Sequence, residues 1–275
     1  MLPVAGAAGC KGRRMKKSVD HSHVAKLMQE GASEVALALL EQALRTEELA
    51  VEPDRPDLFM TMFLWTQLAE QYPPARVALQ GVRDTQAERL LAGDVYFGPD
   101  GADAGEPFRL TTRFSLIVGI NDKLGDLKST CEVFLKLHVD QPALARRYAM
   151  SALPALVEAG QFALADQYRD DPLRWLEAVN DVARTFTLHP QPGVAPRLAS
   201  QLSSLVGEVH VGAAVLRGLG RDNEAGALVA ALLSGLDSDE LKTAARRELD
   251  RPGTIIDELV DHQMAQETRD AGLPG

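Results

Sequence analysis

The chain has 275 residues, 45% of them hydrophobic and only 5% aromatic, with 39 acidic against 29 basic side chains for a formal charge of −10. That length buries a sizeable core without metal or disulfide staples, and two cysteines, Cys10 and Cys131, are too few for a disulfide framework and fit a reducing, cytoplasmic compartment. The acidic balance disfavours nucleic acid as a partner, and no run approaches the roughly 20 apolar residues of a membrane span.

Abundant Ala, Leu, Glu, Gln and Arg beside sparse strand-favouring residues predict an all-α fold. In chain order, residues 1–19 read as a disordered basic tail carrying Lys11, Arg13, Arg14, Lys16 and Lys17. The short apolar stretch before those charges lacks the basic start of a secretory leader. Residues 20–92 read as N-terminal helical hairpins. Val24, Leu27, Gly31, Ala36, Leu40 and Ala43 give a helix, a glycine and the contact stripe of a second helix. "WTQLAEQY" places Trp65, Leu68, Ala69 and Tyr72 on another helix, which Pro73 and Pro74 stop. Residues 93–110, rich in Gly, Asp and Pro, read as a loop dividing these hairpins from the rest.

The second part, 111–275, repeats the pattern. Phe114, Ile117, Val118 and Leu124 form one amphipathic run, and Leu127, Val133, Phe134 and Leu137 the next. Gly125 between them predicts a left-handed helix end, Asp126 the cap of the following helix, and Pro142 its stop. Gly160, with Phe162 and Ala165, and Gly220, with Ala225 and Val229, occupy corresponding places. After a second break at 187–196, helices are expected at 197–205, 208–219 and 223–233. Asp237 with Glu240 reads as a capped start, and Ile256, Leu259, Val260 and Met264 as one apolar stripe of the last helix.

This helix–glycine–helix unit, best in Thr111–Pro142 with Phe114, Ile117, Gly125, Leu127, Thr130, Phe134, Leu137 and Pro142, resembles the tetratricopeptide repeat family. Thr130 stands where Ala is usual, and the glycines are irregularly spaced. The resemblance implies stacked antiparallel hairpins in a right-handed superhelix whose concave wall binds a protein or peptide. Carried onto this chain, the ligand-facing places are Thr66 and Glu70, then Ser115, Gly119 and Asp122, then His210, Ala214 and Arg217. The Lys and Asn pattern by which chaperone-binding members clamp a carboxylate is missing.

Chemistry is less legible. Cys131 and His138 share a helical face, but residues seven apart stand about 10 Å apart along the axis, too far for a nucleophile and its base. Asp20, His21 and His23, or Glu258 with His262, could be imagined as metal ligands, yet no further cluster completes a shell. The acidic segment Asp100, Asp103, Glu106 lacks the alternation of a calcium loop. Arg146, Arg147, Arg246 and Arg247 read as solvated, locally paired charges, and Trp65 and Trp175 as core anchors. There is no GxxxxGK[ST], GxSxG or HExxH, and no cofactor is implied. The expectation is a non-enzymatic interaction scaffold. The competing classes are a ligand sensor or enzyme with a pocket between hairpins, and an acidic neutralising partner of a basic toxin.

Overall fold

A computed structural model describes residues 19–50, 55–98 and 111–270. The basic tail up to residue 18 and the segment holding Asp100, Asp103 and Glu106 lie outside the described residues. Among those described there are thirteen α-helices and no strand, only an isolated antiparallel bridge between Tyr96 and Thr112. They form two compact units divided between Leu124 and Gly125. The stretch Thr111–Pro142, the best match to a repeat, is therefore shared between the two units.

The first unit holds α1 (His21–Gln29), α2 (Ser33–Glu48), α3 (Arg55–Gln71), α4 (Pro73–Leu91) and α5 (Arg113–Leu124). Asp20 caps α1, its carboxylate accepting from the amides of Ser22 and His23 at 3.0 and 3.3 Å. Pro73 and Pro74 end α3 and also open α4, because proline lacks the amide a helix interior needs yet suits its first turn. Apolar side chains of all five helices, Val24, Leu40, Trp65, Leu79 and Ile120 among them, meet in one core. The indole of fully buried Trp65 donates to the Ala75 carbonyl at 3.0 Å, so its one polar atom is satisfied.

The 93–110 segment leaves and returns within this unit. Phe97 N donates to Thr111 O at 2.9 Å and Arg113 N to Val95 O at 3.0 Å, so the segment's two ends are pinned together. The fully buried guanidinium of Arg113 then donates to Glu48 at 2.8 Å, to Asp94 at 2.6 Å and to Gln86. Arg89 reaches the same two carboxylates, at 2.5 Å from Glu48 and 2.6 Å from Asp94. A guanidinium without water is tolerable only when it is paired and hydrogen-bonded in this way.

The second unit holds α6 (Leu127–Asp140), α7 (Pro142–Glu158), α8 (Phe162–Tyr168), α9 (Leu176–Ala183), α10 (Arg197–Gly218), α11 (Asp222–Gly235), α12 (Asp239–Asp250) and α13 (Thr254–Asp270). Helix α10 packs on α7, α8, α9, α11, α12 and α13. It runs unbroken through Gly207, where the sequence suggested two helices. A single exposed glycine costs a helix only about 1 kcal/mol, which burial on both sides outweighs. At Gly218 closeness is the requirement, since a Cβ there would fall 2.3 Å from the Phe162 ring.

The glycine turns stand where the sequence placed them, with Gly31, Gly125, Gly160 and Gly220 at φ +77°, +67°, +70° and +73°. At Gly220 the motif is complete: its amide donates to Arg217 O and that of Arg221 to Leu216 O, both at 2.9 Å, closing α10 while the chain reverses. Other expectations need correction. The cap of α12 is Ser238, whose hydroxyl accepts from Leu241 N at 3.2 Å, and not Asp237, whose amide is held by Asn180. On α13 only Leu259 of the expected stripe is buried. Ile256, Val260 and Met264 face outward, and Ile255 takes the inner position instead. Trp175 is 54% exposed beneath the Arg174 guanidinium and is no core anchor. No helix among the described residues is long and apolar enough to cross a membrane.

Two predictions follow from these contacts. Gly220→Ala forces a side chain into the left-handed region and should cost about 1–2 kcal/mol, whereas Gly226→Ala, with open space at its Cβ inside α11, should gain up to about 1 kcal/mol. Shifts of the urea midpoint in opposite directions, the larger one downward for Gly220→Ala, check the pair. Arg113→Met leaves Glu48 and Asp94 without their shared buried partner and should lower unfolding free energy by about 3–5 kcal/mol; a loss below about 1 kcal/mol contradicts its role as the clasp of the first unit.

Candidate functional site

Along α10, His210, Ala213 and Arg217 follow one another at three and four residues and so share a face. That face overhangs the junction with α11 and α12, where the three helices leave a cleft of about 310 Å³. Val229 and Leu233 of α11, Leu249 of α12 and Ala213 supply apolar walls, while His210, Arg217, Arg246 and Asp250 supply polar groups. The volume is at the small end for a ligand site and suits one side chain or a short peptide turn.

What distinguishes the cleft is its arginines. Elsewhere in the second unit arginine is engaged: Arg169 with Asp166, Arg174 with Glu208, Arg184 with Asp181, Arg221 with Glu224, Arg247 with Glu258 and Arg251 with Asp257. Arg146, Arg147 and Arg197 lie over Tyr168, Tyr148 and Phe186, and Arg269 donates to a backbone carbonyl. Among the described residues Arg217 and Arg246 alone in this unit have no carboxylate, carbonyl or ring against them, and both line the same cleft. Two uncompensated guanidinium groups beside an apolar floor attract a carboxylate that carries an apolar neighbour.

Of the residues expected to face a ligand, the structure brings His210 and Arg217 together here. Thr66 and Glu70 lie on α3 of the first unit, where the Thr66 hydroxyl is turned back onto Phe63 O at 2.8 Å and Glu70 is exposed. Ser115 and Asp122 lie exposed on α5, Ser115 sharing a 2.7 Å hydrogen bond with Thr112 at the helix start. None of these four lines the first unit's cleft of about 270 Å³ beside Trp65 and Gln86. The α3 face that carries Thr66 also presents Phe59 and Phe63, stacked at 6.3 Å and largely exposed, which their sequence positions alone did not single out. Arg246, which reads from the sequence as a solvated charge, lines the cleft as well. Its signal was the spacing to Leu249 and Asp250, which puts all three on one α12 face.

The candidates for chemistry are dispersed. Cys131 is 3% exposed, and burial first, then the Glu132 charge, pushes its thiol above the ordinary range. His138 is bound through Nδ1 to the Tyr168 hydroxyl at 2.8 Å. Glu258 pairs with Arg247 at 2.9 Å, and His262 lies against the His189 ring at 5.4 Å. Asp20 is a helix cap, and His21 Nε2 meets the Thr61 hydroxyl at 2.9 Å. Among the described residues no three His, Cys, Asp or Glu side chains gather as metal ligands would.

The raised thiol of buried Cys131 is testable. A thiol whose pKa is raised is protonated at neutral pH, and only the thiolate attacks. In a Cys10→Ser background, Cys131 of the folded protein should react with Ellman's reagent on the order of 100-fold or more slowly than in urea. Equal rates in the two conditions contradict the assigned burial. In comparison with known proteins, no family, no curated protein and no solved structure matches this chain, so its activity has to be read from its own residues.

Proposed function

We propose that the chain is a non-enzymatic binding protein, a tetratricopeptide-like array of helical hairpins, which holds an acidic and apolar peptide segment of a partner protein in the cleft between α10, α11 and α12. The observation that carries this reading is the convergence of Arg217 and Arg246, both unpaired among the described residues, on one apolar-floored cleft. In a chain of net charge −10 most arginines are neutralised internally, and an exposed pair left free is available to an incoming anion. His210 adds a hydrogen-bonding ring on the same face, and Leu233 and Leu249 offer contacts to an apolar side chain. Asp250 on the rim repels a second negative group and so favours one carboxylate with an aliphatic or aromatic neighbour over a polyanion.

Recognition of this kind depends on charge-assisted hydrogen bonds and needs no reaction. Fluorescein-labelled decapeptides that alternate Glu or Asp with Leu or Phe should bind, and their Lys-substituted counterparts should not. Arg217→Ala and Arg246→Ala should each weaken binding by about tenfold, close to one charge-assisted hydrogen bond, and affinity should fall as salt rises. Anisotropy titrations decide it. Unchanged affinity in the double variant, or equal binding of the basic peptides, removes the proposal.

A further inference from the structure

The opposite face of α10 bounds a separate cavity of about 360 Å³, closed by α7 and by the chain that leads from α8 into Pro172. Met150, Pro154, Pro172 and Val211 make its wall mainly apolar. Its walls are stiff: Pro154 and Pro172 are rings, and Gly212 lets Pro172 lie so close that a Cβ there would be 2.9 Å from its Cγ.

Apart from the Ser151 hydroxyl, which can donate as well as accept, the polar groups of the cavity are unbalanced towards acceptors. Arg169 is committed to Asp166 at 2.5 Å, and the Ser204 hydroxyl donates to Ser200 O at 2.8 Å. Arg174 donates to Glu208 Oε1 at 3.1 Å and stands as near to Oε2, but Oε2, although buried, accepts no hydrogen bond. On the facing wall Pro154 sits inside α7, and having no amide hydrogen it cannot serve the carbonyl of Met150 four residues before it. Both residues line the cavity. An apolar space with a carboxylate oxygen and a main-chain carbonyl, each short of its usual donor, is complementary to a donor with an apolar body.

We infer that this cavity binds a small organic ammonium ion, a primary amine on a short apolar stem, whose N–H groups donate to Glu208 Oε2 while the stem lies against Pro154, Pro172 and Val211. The Met150 carbonyl offers a second acceptor across the cavity, and Asp170, 3.7 Å from the Arg174 guanidinium, lines it as well. Burial holds the Glu208 carboxyl above its ordinary range, against the pull of Arg174 and with the push of Asp170, so a cation that reaches it relieves an existing cost.

Two variants isolate the site. Glu208→Gln keeps the shape and removes the charge. Gly207→Leu fills the space from a helical position at which a Cβ meets no atom within 4 Å, and it improves helix propensity. Calorimetric titration of the full chain with hexylamine and benzylamine should show saturable binding, with hexanol and hexanoate at least tenfold weaker. Glu208→Gln should weaken the amines by tenfold or more, and Gly207→Leu should abolish their binding without lowering the melting temperature. The inference falls if neither amine saturates up to about 10 mM, if hexanoate or hexanol binds as tightly as hexylamine, or if Glu208→Gln leaves the amine affinity unaltered.

Discussion

Helix α10 passes through the second unit with neighbours on both faces, and that constraint decides where its polar side chains can go. Ten of its 22 residues are buried, Leu202, Val206, Val209 and Ala213 among them. A helix so enclosed keeps charged groups only where two neighbours diverge, because elsewhere a charge would be stripped of water without compensation. Glu208 and Arg217 occupy two such gaps, on opposite faces, and each gap is a cavity. The clefts are thus the places where packing around one long rod leaves room for polarity.

Arg113 on the one hand and Arg217 with Arg246 on the other put the guanidinium to opposite uses. Arg113 is fully buried, and its carboxylate and amide partners come from α2, α4 and the segment after α4, so its charge is spent on holding the first unit together. Arg217 and Arg246 are exposed, and no described group engages them. A surface arginine that gains little from a local ion pair loses little by being left free, and is then available to a partner. A second carboxylate with a structural task is Glu248. It is buried on α12 and accepts from the amides of Gly253 and Ile255 at 3.0 and 2.8 Å, which satisfies the first turn of α13 from outside that helix.

Part of the candidate site could be read in advance. His210 and Arg217 come, like Thr66 and Ser115, from the repeat resemblance, and their separation of seven residues, two helical turns, fits one side of α10. Their companion Arg246 and the apolar floor could not be read so, since they belong to helices whose docking angles no local pattern encodes. Thr66, Glu70, Ser115 and Asp122 were carried over from a repeat geometry that assumes equal spacing. The glycines are unevenly spaced, and the best-matching repeat is divided between two units.

By itself the sequence determined the class of structure and its punctuation. Helix-forming composition, apolar periodicity, proline at helix starts and glycine at the left-handed positions are local properties, each acting within a turn or two of chain. Only the tertiary structure decided that α10 continues through Gly207, that Ser238 caps α12 in place of Asp237, that Ile256, Val260 and Met264 face outward, and that Glu48 waits for Arg113. These outcomes depend on which helix lies beside which. Burial and ion pairing are energies between residues far apart in sequence, and their sign is set by neighbours that the local chain does not name.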